Sequence, residues 1–210
     1  MRRKPEETKR LIMDAATAEF ARHGLGGARV DAIAERAGAN KRMLYHYFGS
    51  KDELYLAVLE SAYAEIRTHE AELELDSFSP SEAVRQLVSY TFQYFIEHPE
   101  FISLLNDENL YGAEHIRRSK KIRDMHSPLV DRLKELLVRG QEAGEFRSDV
   151  DPIQLYVSIA SLGYFYLSNV ATLSTIFDRD LTTRTALDAR LDHAVEVVLG
   201  YLKSEGGKAS

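Results

Sequence analysis

Apolar residues fall at helical intervals along nearly the whole chain. Ile12, Ala16 and Phe20 recur every fourth residue, behind Pro5 and the acids Glu6 and Glu7, which suit the positive end of a helix dipole. Gly24, after His23, predicts where that helix stops. Val30, Ile33, Ala34 and Ala37 then repeat at i, i+3, i+4 and i+7, and Gly38 ends this second segment after little more than two turns. Asn40 is placed to cap a short helix that Gly49 closes. Ser50 with Glu53 reads as a capping box that opens a long helix through Leu54, Val58, Leu59, Ala62 and Ile66. Ser79 with Glu82 makes a second box, with Pro80 at the first helical position, and the polar–proline pairs at 98–99, 127–128 and 151–152 predict three further helix starts. No stretch alternates as a strand would, and low complexity is confined to the polar tail SEGGKAS. The expected class is all-α.

Composition narrows the chemistry. A chain of 210 residues can bury a proper core, and with no cysteine it has neither disulfides nor thiolate nucleophiles. The charged opening MRRKPEETKR leads into no apolar run, so a secretory leader is not expected and a cytoplasmic location is. The net charge of −6 disfavours a polyanion partner only on average. Residues 1–51 hold eleven Lys or Arg against six acids, which makes that part +5 and the remainder −11. A cationic end on an acidic body suits a protein of which one part alone meets nucleic acid.

The two short predicted helices, 30–37 and 41–48, joined through Gly38, Ala39 and Asn40, have the layout of a helix-turn-helix. With successive residues roughly 100° apart, Leu44, Tyr47 and Phe48 fall on one side of the second helix and Lys41, Arg42, Tyr45 and His46 on the other. Such a helix spans about 12 Å, close to the width of the B-DNA major groove. Arg42 can reach guanine O6 and N7, Lys41 a base or phosphate, and Tyr45 and His46 a base edge or thymine methyl. Tyr47 and Lys51 lie where a duplex backbone would pass, and Lys51 with the amides after Ser50 makes a candidate phosphate clamp.

Residues 9–59 resemble the DNA-binding domain of tetracycline-repressor-type (TetR family) regulators, through FARHG at the end of the first helix and then VDAIAERAGANKRMLYHYFGSKDELYLAVL. The resemblance implies that Lys41, Arg42, Tyr45, His46, Tyr47 and Lys51 stand at DNA-contact positions. Two departures are visible. Ala28 and Arg29 replace the family's usual hydroxyl residues before the second helix, so a cap is missing, Asp31 is left to compensate in part, and Arg29 becomes a candidate phosphate contact. Arg42 and Met43 stand where glycine and a small residue are common, which alters the operator sequence read.

The expected organisation is a helix-turn-helix DNA-binding domain over 1–51, a helix from about 51 that bridges onward, and a larger helical effector-binding and dimerisation domain over 52–210. From Ile153 to Phe177 no residue carries a formal charge, long enough for a membrane span, but interspersed Ser, Thr and Asn favour a helix buried by its neighbours and no membrane partner. The resemblance implies a homodimer built on the last two helices, for which Tyr164, Leu167, Leu191, Val195, Val198 and Leu199 are the candidate contacts. It also implies a small-molecule effector, its identity unread, and the aromatic and amide positions Phe95, Leu105, Asn109, Tyr111, Met125, Tyr164 and Asn169 are the candidate lining. The overall expectation is a ligand-responsive regulator of repressor type that grips a two-fold double-stranded operator as a dimer.

Rival chemistries find little support. HEAEL at His69 lacks the second histidine of H-E-x-x-H, nothing resembles G-x-S-x-G, and Asp107 and Glu108, adjacent in sequence, point to different sides of a helix. Neither enzyme activity nor a cofactor or metal is expected, and a small helical enzyme or a membrane-associated helical protein is the alternative. RRSKKIR, residues 117–123, is the densest basic run, read as a solvated helix face beside Glu114 and Asp124.

Overall fold

A computed structural model of the chain describes residues 4–203, so Arg2 and Arg3 of the basic segment and the polar tail fall outside the described residues. The helices are α1 (Pro5–Gly27), α2 (Val30–Ala37), α3 (Lys41–Phe48), α4 (Lys51–Glu72), α5 (Pro80–Glu97), α6 (Pro99–Leu110), α7 (Glu114–Arg118), α8 (Lys120–Glu142), α9 (Pro152–Ser168), α10 (Val170–Ile176) and α11 (Arg184–Leu202). A 3₁₀ turn, Leu75–Ser77, follows α4. Among the described residues the sole β pairing is an isolated bridge between Phe146 and Lys203.

The chain divides into two compact units, one of residues 1–65 with 98–125 and the other of 66–97 with 126–210, so that the division falls inside α4 and α8. In the first, Ile12, Ala16 and Phe20 of α1, Ile33 of α2, Leu44 of α3 and Leu54, Tyr55, Val58 and Leu59 of α4 close on one another, joined by Leu104 of α6 and Ile122 of α8. In the second, Val84, Leu87 and Val88 of α5 pack with Leu133 and Leu137 of α8, Leu155 and Ile159 of α9 and Val195, Val198 and Leu202 of α11.

The local signals act where expected. Gly24 takes φ 63° and ψ 174° and breaks α1. A side chain there meets a second obstacle, since a Cβ would stand 2.4 Å from Asp107 Oδ1. Asp151 Oδ1 accepts from the amides of Ile153 and Gln154 at 2.8 and 2.9 Å and so starts α9. The 127–128 signal does not start a helix, because Pro128 lies inside α8. It removes one backbone bond and crowds the carbonyl four residues earlier, yet flanking turns hold the helix through. The uncharged run 153–177 is two helices broken at Asn169, whose side-chain amide donates to the Phe165 carbonyl at 2.8 Å. No helix of the described residues is long and apolar enough to cross a membrane.

Candidate nucleic-acid interface

The candidate site is α3, and three local devices set its length and pitch. Gly38 adopts the left-handed conformation at φ 59°, turning the chain after α2. Asn40 Oδ1 then accepts from the Met43 amide at 2.8 Å, and Gly49, at φ 80°, ends the helix. Leu44 is fully buried and Tyr47 and Phe48 are half-buried, whereas Lys41, Arg42, Tyr45 and His46 are exposed. The helix is therefore pinned by one side, and the opposite side offers two cations, an imidazole and a phenol.

The groups on that outer side differ in freedom. Lys41 Nζ lies 3.2 Å from Asp31 Oδ1 of α2, an exposed pair that holds the ammonium loosely in place. Arg42 has no such partner within the described residues, which leaves its planar fork available for bidentate hydrogen bonding. The rings of His46 and Tyr47 lie 5.4 Å apart, and Lys9 Nζ of α1 stands 6.0 Å above the Phe48 ring. Ser50 Oγ accepts from the Glu53 amide at 3.1 Å, so the amides of Lys51 and Asp52 are the open donors of the first turn of α4. The reciprocal half of that capping box is diverted, because the Glu53 carboxylate pairs with Arg118.

The missing hydroxyl before α2 is made good from elsewhere in the chain. Arg29 heads α2 with no side-chain cap, but its amide donates to Glu19 Oε1 of α1 at 3.0 Å. The Arg29 side chain stays exposed. Nothing around position 29 in the sequence points to Glu19, ten residues away on another helix.

Asp107 and Glu108, passed over as an acid–base pair, anchor the same unit. Asp107 Oδ2 accepts from the Leu25 amide at 2.8 Å and from the Tyr55 hydroxyl at 2.9 Å, tying α6 to the break in α1. Burial, and then the Asp107 carboxylate, push the Tyr55 phenol far above its ordinary range, so it remains a donor. Glu108, almost wholly buried, accepts from the His115 and Ile116 amides at 2.8 and 2.9 Å and meets His115 Nδ1 at 2.8 Å. The basic residues of the run, Arg117, Arg118, Lys120, Lys121 and Arg123, are exposed as a solvated face requires, with some of them also bonded within the unit. Ser119 Oγ donates to Glu60 at 2.6 Å, Lys121 lies 3.8 Å from Glu60, and Arg117 and Arg123 donate to the carbonyls of Gly112 and Arg117.

The effector candidates fall into both units and are described within each. In the first, Leu105 and Met125 are half-buried, Tyr111 is exposed with its ring 5.9 Å from His115, and Asn109 turns its amide back to the Leu105 carbonyl at 2.8 Å. In the second, Phe95 is buried with its ring 6.2 Å from that of half-buried Tyr164, and burial raises the Tyr164 phenol above its ordinary value. Gly163 lets both Phe92 and Phe95 approach α9, since a Cβ there would stand 3.2 Å from each ring. Among the dimer candidates, Leu167, Leu191 and Leu199 are half-buried. Val195 and Val198 require correction, for at 2% exposure each they are used up inside their own unit and offer a partner almost no area. The large apolar side chains that α9 and α11 do leave exposed are Ile153, Val157 and Phe165, and Val197 and Tyr201. Among the described residues no group of three or more His, Asp or Glu is arranged to hold a metal ion.

Two family models match this chain: that of bacterial regulatory proteins of the tetR family over residues 12–58, and that of the tetracyclin repressor-like C-terminal domain over residues 80–198. The HTH-type transcriptional repressor NicS of Pseudomonas putida is 40% identical over 86% of this chain and 85% of its own. The HTH-type transcriptional repressor SCO4008 of Streptomyces coelicolor is 34% identical over 68% of this chain and 69% of its own. Among solved structures, the putative transcriptional regulator SCO4942 from Streptomyces coelicolor superposes with a TM-score of 0.70 at 25% identity, covering 93% of this chain and 98% of that one.

Proposed function

Because the chain belongs to the TetR family of DNA-binding transcriptional regulators, we propose that it is a repressor which grips a two-fold operator as a homodimer and lets go when a small-molecule effector binds. The observation that carries this reading is the outer side of α3, where Lys41, Arg42, Tyr45 and His46 stand exposed on a helix pinned through Leu44. The two relatives named as repressors support the sign of the regulation. Residues 1–51 form the reading head in this scheme, with α4 leading from it to the effector-binding and dimerisation part over 52–210.

Roles follow from reach and chemistry. Arg42 reads a guanine edge with its fork, Lys41, Tyr45 and His46 meet neighbouring bases or phosphates, and Arg29, Tyr47 and Lys51 hold the backbone on either side. Dimerisation sets two such heads a whole number of helical turns apart, which is why a monomer would bind weakly. The effector enters among Phe95, Tyr164 and Asn169 of the second unit and favours a dimer whose heads no longer match the operator spacing. The dimer contact uses the exposed apolar residues of α9 and α11, with Tyr164, Leu167, Leu191 and Leu199 beside them.

Selection of bound sequences from random duplexes, repeated at several salt concentrations, tests the reading head. Arg42→Ala should relax the choice at one base position at a cost of about 1–3 kcal/mol, whereas Lys51→Ala should weaken all sequences alike and flatten the salt slope by about one unit. Wild-type protein that enriches no sequence, or variants that keep both slope and preference, would remove the support for this scheme.

A further inference from the structure

Within the second unit, two opposite charges near the end of α4 are buried without hydrogen bonds to each other. The side chains of Arg67 and Glu70 are 7% and 3% exposed, and Arg67 Nη1 stands 2.6 Å from Glu70 Oε2. The angles are nevertheless poor, so Nε and Nη1 of Arg67 and both carboxylate oxygens of Glu70 lack a hydrogen-bond partner. Only Nη2 of Arg67 is satisfied, donating to the Tyr156 hydroxyl at 3.0 Å while the guanidinium lies 5.4 Å from the centre of that ring. A second guanidinium, Arg132, donates to the Glu70 and Leu73 carbonyls at the C-terminal end of the helix. Two fixed positive charges therefore share one carboxylate.

That carboxylate is itself a weak counter-charge. Burial outweighs Arg67 and Arg132 and pushes Glu70 up to about 7, so near neutrality the cluster carries excess positive charge with little exposure to solvent. A buried guanidinium with open donors is costly unless acceptor oxygens arrive. Structural pairs avoid this cost by aligning, as Arg139 does in donating to the carbonyls of Leu75 and Phe78. The Arg67 geometry is that of a group held ready rather than one already satisfied.

We propose that Arg67 anchors the carboxylate of a small organic acid and that Tyr156, supplying both its hydroxyl and its ring face, completes the recognition. The assignment rests on the effector reading above and names the effector's chemical class. A single negative charge matches the excess of the cluster, whereas a phosphate dianion would exceed it and leave charge buried again. Arg is suited to the task because its planar fork meets a planar carboxylate and is only weakly hydrated. Glu70 tunes the site, since its ionised form competes with the ligand for the same guanidinium.

The test uses the full chain without DNA, at pH 7.5 and constant ionic strength, with acetate and benzoate as probes and benzamide as the neutral match for benzoate. Benzoate at 10 mM should raise Tm by roughly 3 °C and benzamide should leave it unchanged. Arg67→Gln should abolish the benzoate shift. Should that variant fail to melt cooperatively, Glu70→Gln decides the matter, because it retains Arg67 and should bind benzoate about tenfold tighter by calorimetry. Equal shifts with benzamide, a shift that survives Arg67→Gln, no gain in Glu70→Gln, or silence towards both acids would overturn the assignment. Since no operator enters the measurement, failure of the DNA selection leaves this result untouched. A benzoate that binds at Arg67 yet leaves operator affinity unchanged would overturn the effector role alone.

Discussion

Glu70 has a consequence for stability as well as for ligands. Its carboxyl is pushed up to about 7 in the fold against an ordinary 4.5, chiefly by burial. A carboxyl that holds its proton more tightly when folded makes the folded state bind more protons than the unfolded chain between those two values, so stability falls as pH rises from about 4.5 to 7 and is level above that. The loss amounts to roughly 3 kcal/mol at most. Urea midpoints measured from pH 5 to 8 should show this decline in the wild type and its absence in Glu70→Gln. Parallel slopes in the two proteins would mean that Glu70 is not the group responsible. In the sequence, Glu70 follows Ile66 by four residues and so continues an apolar stripe, a signal that a charge was being taken inside. Arg67, three residues earlier on the same helix, is a local partner, but the approach of Arg132, 62 residues later on α8, was not written locally.

At the scale of the element, caps and glycines explain most of what was legible. Asn40 stands between two helices and satisfies the Met43 amide, so α3 begins at Lys41, the first of the residues proposed to face DNA. Asn40→Ala should cost about 1 kcal/mol in chemical denaturation and weaken DNA binding beyond what stability alone explains, by fraying Lys41 and Arg42. An Asn40→Asp variant that keeps full stability together with the Ala variant's loss would separate charge from capping. The proline signals worked at α5, α6 and α9 and failed at α8, which runs through Pro128. A proline marks a permitted start, not a required one, and neighbouring turns decide whether a helix tolerates it. The long uncharged run divided for a related reason: the Asn169 amide competes for a backbone carbonyl, and hydropathy alone gives no sign of that competition.

For the molecule as a whole, the proposed dimer is where burial matters most. Val198→Asp places a charge in a packed core and should unfold the second unit, so monomers from that variant would say nothing about assembly. Phe165→Glu and Tyr201→Glu change side chains that the unit leaves exposed and should give folded monomers by sedimentation, with operator binding lowered at least tenfold. Folded variants that remain dimeric would move the contact off α9 and α11. The all-α class, the helix-turn-helix with its capped second helix, the cationic end and the outward face of α3 were all determined by sequence alone, because periodicity, capping and glycine turns act within a few residues. Tertiary structure decided which stripe residues are consumed within a unit, that Glu19 of α1 supports the start of α2 and Asp107 of α6 the break in α1, and that Arg67 and Glu70 are buried side by side. Those outcomes depend on helices brought together from distant parts of the chain, and the desolvation that drives them exists only once the helices have met.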